Sequence, residues 1–229
     1  MKAQRLRIRY CVSADASQLG QRDIVEAWED ACRAAGLPLA YSEGKRPSPQ
    51  ISVAAPLPQG VTSTCELLDL YLIDSVPPAE AVGQLTEHLP CGIHPLTAHA
   101  VGVNAPSLQS QVRRAEYFVR VSGVDAATVQ KAVAGALSAR TLPTKYKRET
   151  RVKEYDLRPL ILGIDIDDTE GRLAVILRLR AEPDRTARAD QVTALLGLPE
   201  GARIERTALE LEEVPPVLLA YRRSGETRE

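Results

Sequence analysis

The first strand-like segment of the chain, residues 5–10, alternates three arginines with three apolar residues. A period of two predicts a β-strand with one apolar face. Residues 21–35 then repeat apolar side chains at helical spacing and stop at Gly36, which predicts a helix. Further strands are predicted at residues 51–55, 67–73 and 93–103, with a helix from the Pro77-Pro78 pair to about Leu89. The order of elements in this half is βαββαβ.

The second half repeats that order of elements. Strands are predicted at residues 116–122, 160–167, 173–180 and 204–211, and helices at 126–139 and 189–196. A basic β-ribbon at residues 145–155 is inserted after the first of these helices. The pattern predicts an α+β fold of tandem ferredoxin-like units, with domains at residues 1–104 and 113–214 and a C-terminal tail at 215–229. A single larger mixed sheet is the alternative arrangement.

Composition narrows the classes of function without naming one. The net charge is −1, so any binding to nucleic acid must rest on a local basic surface. No stretch reaches the roughly 20 apolar residues that cross a bilayer, and the start of the chain does not resemble a signal peptide, so we expect a soluble cytoplasmic protein. The four cysteines are scattered with no C-x-x-C pair, so buried free thiols are expected rather than a metal site. No cofactor is predicted either.

A long loop rich in proline, glycine and serine separates the first helix from the second strand, over residues 40–52. Loops of this length inside compact domains are usually functional or disordered, and the strand-like sequence at both ends favours an ordered one. The predicted phosphate or polar-ligand contacts are Tyr41, Ser42, Gly44, Lys45, Arg46 and Ser52. The alternative is a rigid loop that only closes the domain.

Two sets of cations extend the predicted binding surface. Arg5, Arg7 and Arg9 would stand on the helix-free face of the first sheet, where guanidinium groups match phosphate oxygens. Ordinary surface charge is the alternative. The second set belongs to the basic ribbon and comprises Lys145, Lys147, Arg148, Arg151, Lys153 and Arg158. These cations could contact RNA. The alternative is a solvated hairpin whose lysines prevent edge pairing.

Familiar catalytic signatures are missing from the sequence. It has no phosphate-binding G-x-x-x-x-G-K-[ST] loop, no dinucleotide-binding G-x-G-x-x-G and no G-x-S-x-G elbow. Ser42 has no histidine nearby in sequence to act as a base. The acidic run at residues 165–171 has the composition of a hairpin turn between two apolar strands rather than the spacing of a calcium loop.

Two motifs resemble the uncharacterised radical-SAM-linked protein family, whose domain has no known function. The first runs from Ala35 through the proline-rich loop to Ser52 and continues over Pro56–Ser63 and Glu66–Leu70; the second is Val152–Pro159. The resemblance implies a gene beside, or fused to, one encoding a radical-SAM protein, which would be the partner. This chain has no C-x-x-x-C-x-x-C cluster motif, so it would be the linked protein rather than the radical enzyme.

The chain departs from the family at positions suited to acid–base chemistry. Members often carry Ser-His-Leu-Asp where this chain has Gly20–Asp23, and histidine and lysine where it has Ser48 and Gln50. Histidine is the usual general acid or base near neutral pH, so its loss argues against shared catalysis. Asp23 keeps the acidic position of that motif and is retained as a candidate binding residue.

Three functions are compatible with these observations. The first is a non-catalytic accessory or substrate-recognition protein that works with a radical-SAM partner and binds RNA through its basic faces. The second is a metal-independent endoribonuclease, by analogy with CRISPR repeat-processing enzymes, with Tyr41 and Lys45 as the only plausible acid–base pair in the loop. The third is a structural interaction module that docks through its tail.

Overall fold

The computed structural model describes residues 2–148, 151–169 and 171–212, and within these it gives the backbone alone for 146–148 and 151–153. The described chain divides into two compact units. The first comprises the residues up to Val112 together with Glu212, and the second comprises Arg113–Leu211. The segment at 105–112, which lay between the predicted domains, belongs to the first unit. The predicted tail at 215–229 lies outside the described residues.

The first unit is built on one antiparallel sheet. Its elements are β1 (Gln4–Val12), α1 (Gln21–Ala34), β2 (Ile51–Val53), β3 (Thr62–Leu72), α2 (Pro78–His88), β4 (Ile93–Val101) and the short helix α3 (Leu108–Gln111). The strands lie in the order β2-β3-β1-β4. β3 starts five residues before its predicted position, because Thr62, Ser63 and Thr64 give no apolar pattern while still pairing in the sheet.

The core of the first unit follows from the alternation in β1. Leu6, Ile8 and Tyr10 are almost fully buried on the face that meets the helices. Trp28 of α1 is also fully buried, and its ring meets that of Tyr10 edge to face at a centroid distance of 5.2 Å. Edge-to-face packing is a favoured geometry for aromatic pairs, so this contact fixes α1 on the sheet.

A tight backbone approach joins the loop after β1 to the start of β4. The Ser13 amide donates to the Gly92 carbonyl over 2.8 Å. Gly92 has φ +93°, and a Cβ built there would lie 2.6 Å from the backbone nitrogen of Ala16. Glycine is required at this position, because any side chain would clash with backbone and strain its own φ.

The second unit contains a sheet and a separate hairpin. Its elements are β5 (Val112–Arg120), α4 (Ala126–Ser138), β6 (Pro143–Arg148), β7 (Arg151–Asp156), β8 (Ile161–Thr169), β9 (Arg172–Glu182), β10 (Arg185–Thr186), α5 (Ala189–Leu195) and β11 (Arg203–Leu211). The sheet has the order β8-β9-β5-β11, with β10 also pairing β9. β6 and β7 pair with each other as a two-stranded hairpin, where the sequence predicts the basic ribbon.

The fold is therefore α+β with mostly antiparallel strands, and the predicted fold class is confirmed at that level. The turn predicted in the acidic run is also present, since Thr169 pairs with Arg172 at the end of the β8–β9 hairpin. Among the described residues, no helix combines the length and the apolar character that crossing a membrane requires.

Candidate nucleic-acid interface

The arginines of β1 are paired inside the first unit. The Asp69 carboxylate on β3 accepts from Arg5 Nε over 2.8 Å and Nη2 over 2.6 Å, and from Arg7 Nε over 2.9 Å and Nη2 over 3.1 Å. Arg5 and Asp69 are fully buried and Arg7 is only 4% exposed. The expectation of an exposed phosphate-binding row is therefore wrong for Arg5 and Arg7, because both guanidinium groups are already committed to a buried carboxylate.

The same two arginines hold a polypeptide segment, which includes the short helix α3, over the face of the sheet opposite α1 and α2. Arg5 donates to the carbonyls of Ala105 and Pro106 over 2.8 and 2.9 Å. Arg7 donates to the Gln111 side-chain oxygen over 3.2 Å. These contacts satisfy most of the donors that burial would otherwise leave without partners. The cluster is thus a structural fastening between β1, β3 and residues 105–111.

Asp69 is the residue that sequence reasoning missed. It interrupts an otherwise apolar run in β3, at Leu67-Leu68-Asp69-Leu70. A carboxylate in a buried strand needs a cationic partner, because isolated burial of its charge is very costly. That rule, applied to the neighbouring strand, would have identified Arg5 and Arg7 as its partners.

Arg9 differs from the other two arginines of β1. It is exposed, and its Nη2 makes a 3.3 Å hydrogen bond to the Thr64 carbonyl. On the neighbouring β4, His99 is in register with Arg7. Burial and then the Arg7 charge lower the pKa of His99 below its usual 6.5, so this ring is neutral at physiological pH.

The proline-rich loop is an ordered hairpin-like excursion. Tyr41 bridges to Pro49, and the Ser42 amide donates to the Ser48 carbonyl over 2.9 Å. The Ser42 hydroxyl accepts from the Ser48 amide, also over 2.9 Å. The Ser42 side chain therefore closes the loop. Gly44, with φ +125°, lies at the exposed tip beside Lys45 and Arg46. The loop thus presents two exposed cations on a braced base.

Tyr41 is bound to α1 rather than poised for proton transfer. Its hydroxyl donates to Glu29 Oε1 over 3.0 Å, and Arg33 pairs with the same oxygen over 3.0 Å. Burial and the hydrogen bond to Glu29 raise the pKa of Tyr41 above 10. A phenol that is held protonated in this way is a poor general base near neutral pH. The geometry does not favour the Tyr41 and Lys45 pair proposed for RNA cleavage.

Asp23 and Ser52 lie at different places in the unit. Asp23 accepts from the Gly20 amide over 2.8 Å and so caps the start of α1. It is six residues, or about 9 Å along the helix, from Glu29, where Tyr41 is bound. Ser52 lies on β2, in register with Asp69. The sequence-predicted ligand residues of this unit are thus not brought into one cluster.

The basic hairpin has a fixed base. The Asp156 carboxylate accepts from the Leu142 amide over 2.7 Å and from the Arg158 amide over 2.9 Å. The Leu157 amide donates to the Leu142 carbonyl over 2.9 Å, and Leu157 is fully buried. Tyr155 is hydrogen-bonded through its hydroxyl to Gln191 of α5. These contacts anchor the two strands where they leave the body of the second unit.

Cations follow one another along the paired strands. Lys145 is 74% exposed and forms a 2.8 Å ion pair with Glu154. Beyond it the backbone register places Tyr146 opposite Lys153, Lys147 opposite Val152 and Arg148 opposite Arg151. The hairpin is therefore a short basic arm on a rigid base.

Arg158 does not belong to this basic arm. Its guanidinium donates to the Ile161 carbonyl over 3.1 Å and to the Leu137 carbonyl over 3.0 Å. Arg158 thus ties the end of α4 to the start of β8. Its predicted role as an RNA contact is not supported, because two of its guanidinium nitrogens already donate to backbone carbonyls within the unit.

Among the described residues, no group of three or more His, Cys, Asp or Glu side chains is arranged to hold a metal ion. In the acidic turn, the Asp167 carboxylate accepts from the Thr169 amide over 3.1 Å. Asp165 pairs with Arg178 over 2.5 Å. Asp167 thus stabilises the turn, and Asp165 forms an ion pair.

Comparisons with known proteins place the chain in a family without assigning it a role. The family model described as "Uncharacterized protein conserved in bacteria (DUF2344)" matches residues 5–189. No curated protein matches the sequence. Among solved structures, a chain in "Crystal Structure of a Cbf5-Nop10-Gar1 Complex" is similar with a TM-score of 0.46 at 11% identity. The alignment covers 89% of this chain and 48% of that one, so the present chain spans about half its length.

Proposed function

The chain belongs to the uncharacterised bacterial family DUF2344, and we propose that it is a non-catalytic accessory or substrate-recognition protein that binds RNA. The β6–β7 hairpin, residues 143–156, is the RNA contact in this proposal. The observation that carries it is the anchored base of this hairpin, whose paired strands contain a run of cations in sequence. Its enzymatic partner would be a radical-SAM protein.

The hairpin suits a polyanion for two physical reasons. Residues 143–156 contain five lysines and arginines against three acidic residues, in a chain whose net charge is −1. Cations concentrated in this way release counterions when they meet a phosphate backbone, which favours association. The anchored base also lowers the conformational entropy lost on binding, because the strands are already paired.

The non-catalytic part of the proposal is supported by the state of the proline-rich loop. Tyr41 is held by Glu29 with a raised pKa, and Ser42 is engaged with Ser48. Both side chains therefore stabilise the loop. Lys45 and Arg46 remain exposed at its tip and provide an additional cationic contact.

The partner part of the proposal rests on the two motifs that resemble the radical-SAM-linked family. We also infer that each unit is ferredoxin-like. The support is the order βαββαβ in both units and the two sheet orders, β2-β3-β1-β4 and β8-β9-β5-β11. In each sheet the first strand of the unit lies centrally, between the third and the fourth.

The RNA contact is tested with a triple variant of the hairpin. Lys147→Gln, Arg148→Gln and Arg151→Gln remove three cations without changing the anchored base. Binding of a fluorescent single-stranded RNA is measured by anisotropy over a range of salt concentrations. If all three cations meet phosphates, the slope of log K against log salt falls by about 2, at roughly 0.7 per contact. The affinity at low salt falls with it.

A matched control removes three exposed cations from elsewhere. Arg22, Lys131 and Arg203 are exposed and lie outside the hairpin. Their triple glutamine variant has the same change in net charge and is expected to keep most of the affinity and the salt slope. Equal losses in both triple variants would refute a specific hairpin contact and leave only general charge.

The partner is tested separately. Tagged protein is purified at low salt from a host that expresses the neighbouring radical-SAM protein, and the retained proteins are identified by mass spectrometry. Recovery of the radical-SAM protein in stoichiometric amount supports the accessory role. If purifications retain RNA but not the radical-SAM protein, the proposed partner is refuted while the proposed RNA contact still stands.

A further inference from the structure

In the sheet of the second unit, aromatic and charged side chains lie on the face opposite the buried apolar side chains. Tyr117 and Val119 of β5 are buried and pair with Leu177 and Val175 of β9. Phe118 lies between them on the opposite face and is partly exposed. It is the single phenylalanine of the chain. An aromatic residue in the outward register of a central strand contributes little to the core and points to a contact outside it.

Phe118 lines an open concavity at one end of this sheet, with a volume of about 870 Å³. Its walls are the turn after β5, at Val121–Val124, and the β8–β9 hairpin, including Thr169 and Arg172. The volume lies within the roughly 300–1,000 Å³ of small-ligand sites. A ring that lines such a concavity can stack against a planar ligand.

A guanidinium group accompanies the ring. The Arg120 guanidinium carbon lies 5.8 Å from the Phe118 ring centroid, within the range of a cation–π contact. The Arg120 side chain is 65% exposed, and its ion pair with Glu205 is long, at 3.9 Å. Arg120 is thus positioned to contact the edge of a base that stacks on Phe118.

We propose that Phe118 and Arg120 form a stacking site for an unpaired base of single-stranded RNA. The inference deepens the proposed function and rests on it, because the hairpin supplies the electrostatic attraction and this site would read an exposed base. β5 and β9 are both interior strands of their sheet, with β11 and β8 outside them. Sheets that bind single-stranded RNA place stacking aromatics on interior strands in this way.

The other charges on this face favour a base over a bare phosphate. Asp167 also lines the concavity, and its carboxylate accepts from Thr169. Farther along the sheet, Arg178 pairs with Glu116 over 3.4 Å and with Asp165. The Asp167 carboxylate therefore repels phosphate at the site, whereas it can accept a hydrogen bond from the amino group of a base. Stacking is therefore the expected main interaction.

The stacking site is tested with two oligonucleotides of equal length and charge. One is a single-stranded oligoadenylate, and the other has the same backbone without bases. Phe118→Leu is expected to weaken oligoadenylate binding by roughly 5- to 150-fold, as the loss of one stacked base predicts. The affinity for the abasic strand is expected to stay unchanged. Phe118→Tyr keeps the ring and is expected to bind oligoadenylate like the wild type.

The controls separate this site from the hairpin. Leu162→Ala changes an apolar side chain of the second unit that is 40% exposed and outside the concavity, and it should leave both affinities unchanged. The hairpin triple variant should weaken both oligonucleotides alike. Equal binding of the two oligonucleotides by the wild type, or wild-type oligoadenylate binding by Phe118→Leu, would overturn the stacking site alone. Failure of the wild type to bind either oligonucleotide would overturn the RNA proposal as well.

Crosslinking gives a readout that does not depend on affinity. Ultraviolet irradiation of the complex with a 4-thiouridine strand, followed by trypsin, is expected to label the peptide 115–120, which contains Phe118. A competing abasic strand should reduce this label less than a base-containing strand does. Labels confined to peptides outside residues 115–124 and 167–174 would contradict the site.

Discussion

Replacement of Asp69 by asparagine tests whether the buried cluster in the first unit holds the fold together. Asp69 is fully buried and is the carboxylate shared by Arg5 and Arg7, with four N–H···O contacts between 2.6 and 3.1 Å. Asparagine has nearly the same shape and keeps one acceptor oxygen. It removes the negative charge, so two guanidinium groups remain buried without their counter-ion.

The magnitude follows from the cost of an uncompensated buried charge. Breaking a buried ion pair by removing one partner costs about 3–5 kcal/mol, and both partners here are deeply buried. At a slope of about 2 kcal/mol per M, that loss lowers the urea midpoint by roughly 1.5–2.5 M. The segment at 105–111 loses its fastening too, so amide exchange there should speed up relative to the rest of the unit.

The assay is urea denaturation followed by circular dichroism, with hydrogen exchange on the same proteins. Asp74→Asn is the matched control, because Asp74 is exposed just beyond the same strand. It should change the unfolding free energy by less than about 0.5 kcal/mol. A triple variant, Arg5→Met, Arg7→Met and Asp69→Leu, removes every charge together and is expected to be more stable than Asp69→Asn.

The reasoning is refuted if Asp69→Asn unfolds within about 0.5 kcal/mol of the wild type at an unchanged slope. That result would mean that water or a rearranged side chain neutralises the arginines without cost. Wild-type exchange rates at residues 105–111 in the variant would separately contradict the fastening role of the cluster.

Three other predictions test packing and titration. Gly92→Ala should destabilise the fold by at least about 2 kcal/mol, because the added Cβ clashes with backbone and strains its own φ. Gly83→Ala, in an open stretch of α2, should stabilise it by about 0.5–1 kcal/mol, and melting temperatures that shift in the same direction in both variants would contradict this. Burial, with the nearby Glu29 charge, raises the pKa of the Cys32 thiol to about 12. Iodoacetamide at pH 8 should therefore label the exposed Cys91 and spare Cys32, which peptide mapping would show. The pKa of His99 is lowered in the folded state, so below about pH 6.5 the unfolded chain binds more protons, and stability should fall as the pH drops from 6.5 towards the folded-state pKa. His99→Gln should flatten this pH dependence, and an unchanged profile would refute the assignment.

Much of the secondary structure was accessible from the sequence, because it depends on periodicity. The alternation of Leu6, Ile8 and Tyr10 predicted β1 and its buried face, and helical spacing around Trp28 predicted α1. The start of β3 was missed because its first residues are polar, and such residues pair through backbone groups that leave no side-chain signature. The basic hairpin was predicted, yet its anchoring by Asp156 was not.

For the candidate site too, the sequence and the tertiary structure determine different properties. The sequence by itself determined which residue types were available: the arginines of β1, the braced loop with Lys45 and Arg46, and the cations of the hairpin. Only the tertiary structure decided which of them are free to meet a ligand. It buried Arg5 and Arg7 against Asp69 and engaged two guanidinium nitrogens of Arg158 with backbone carbonyls. Alternation along one strand assigns a side chain to a face, whereas its partner is set by a strand that lies more than sixty residues away in sequence.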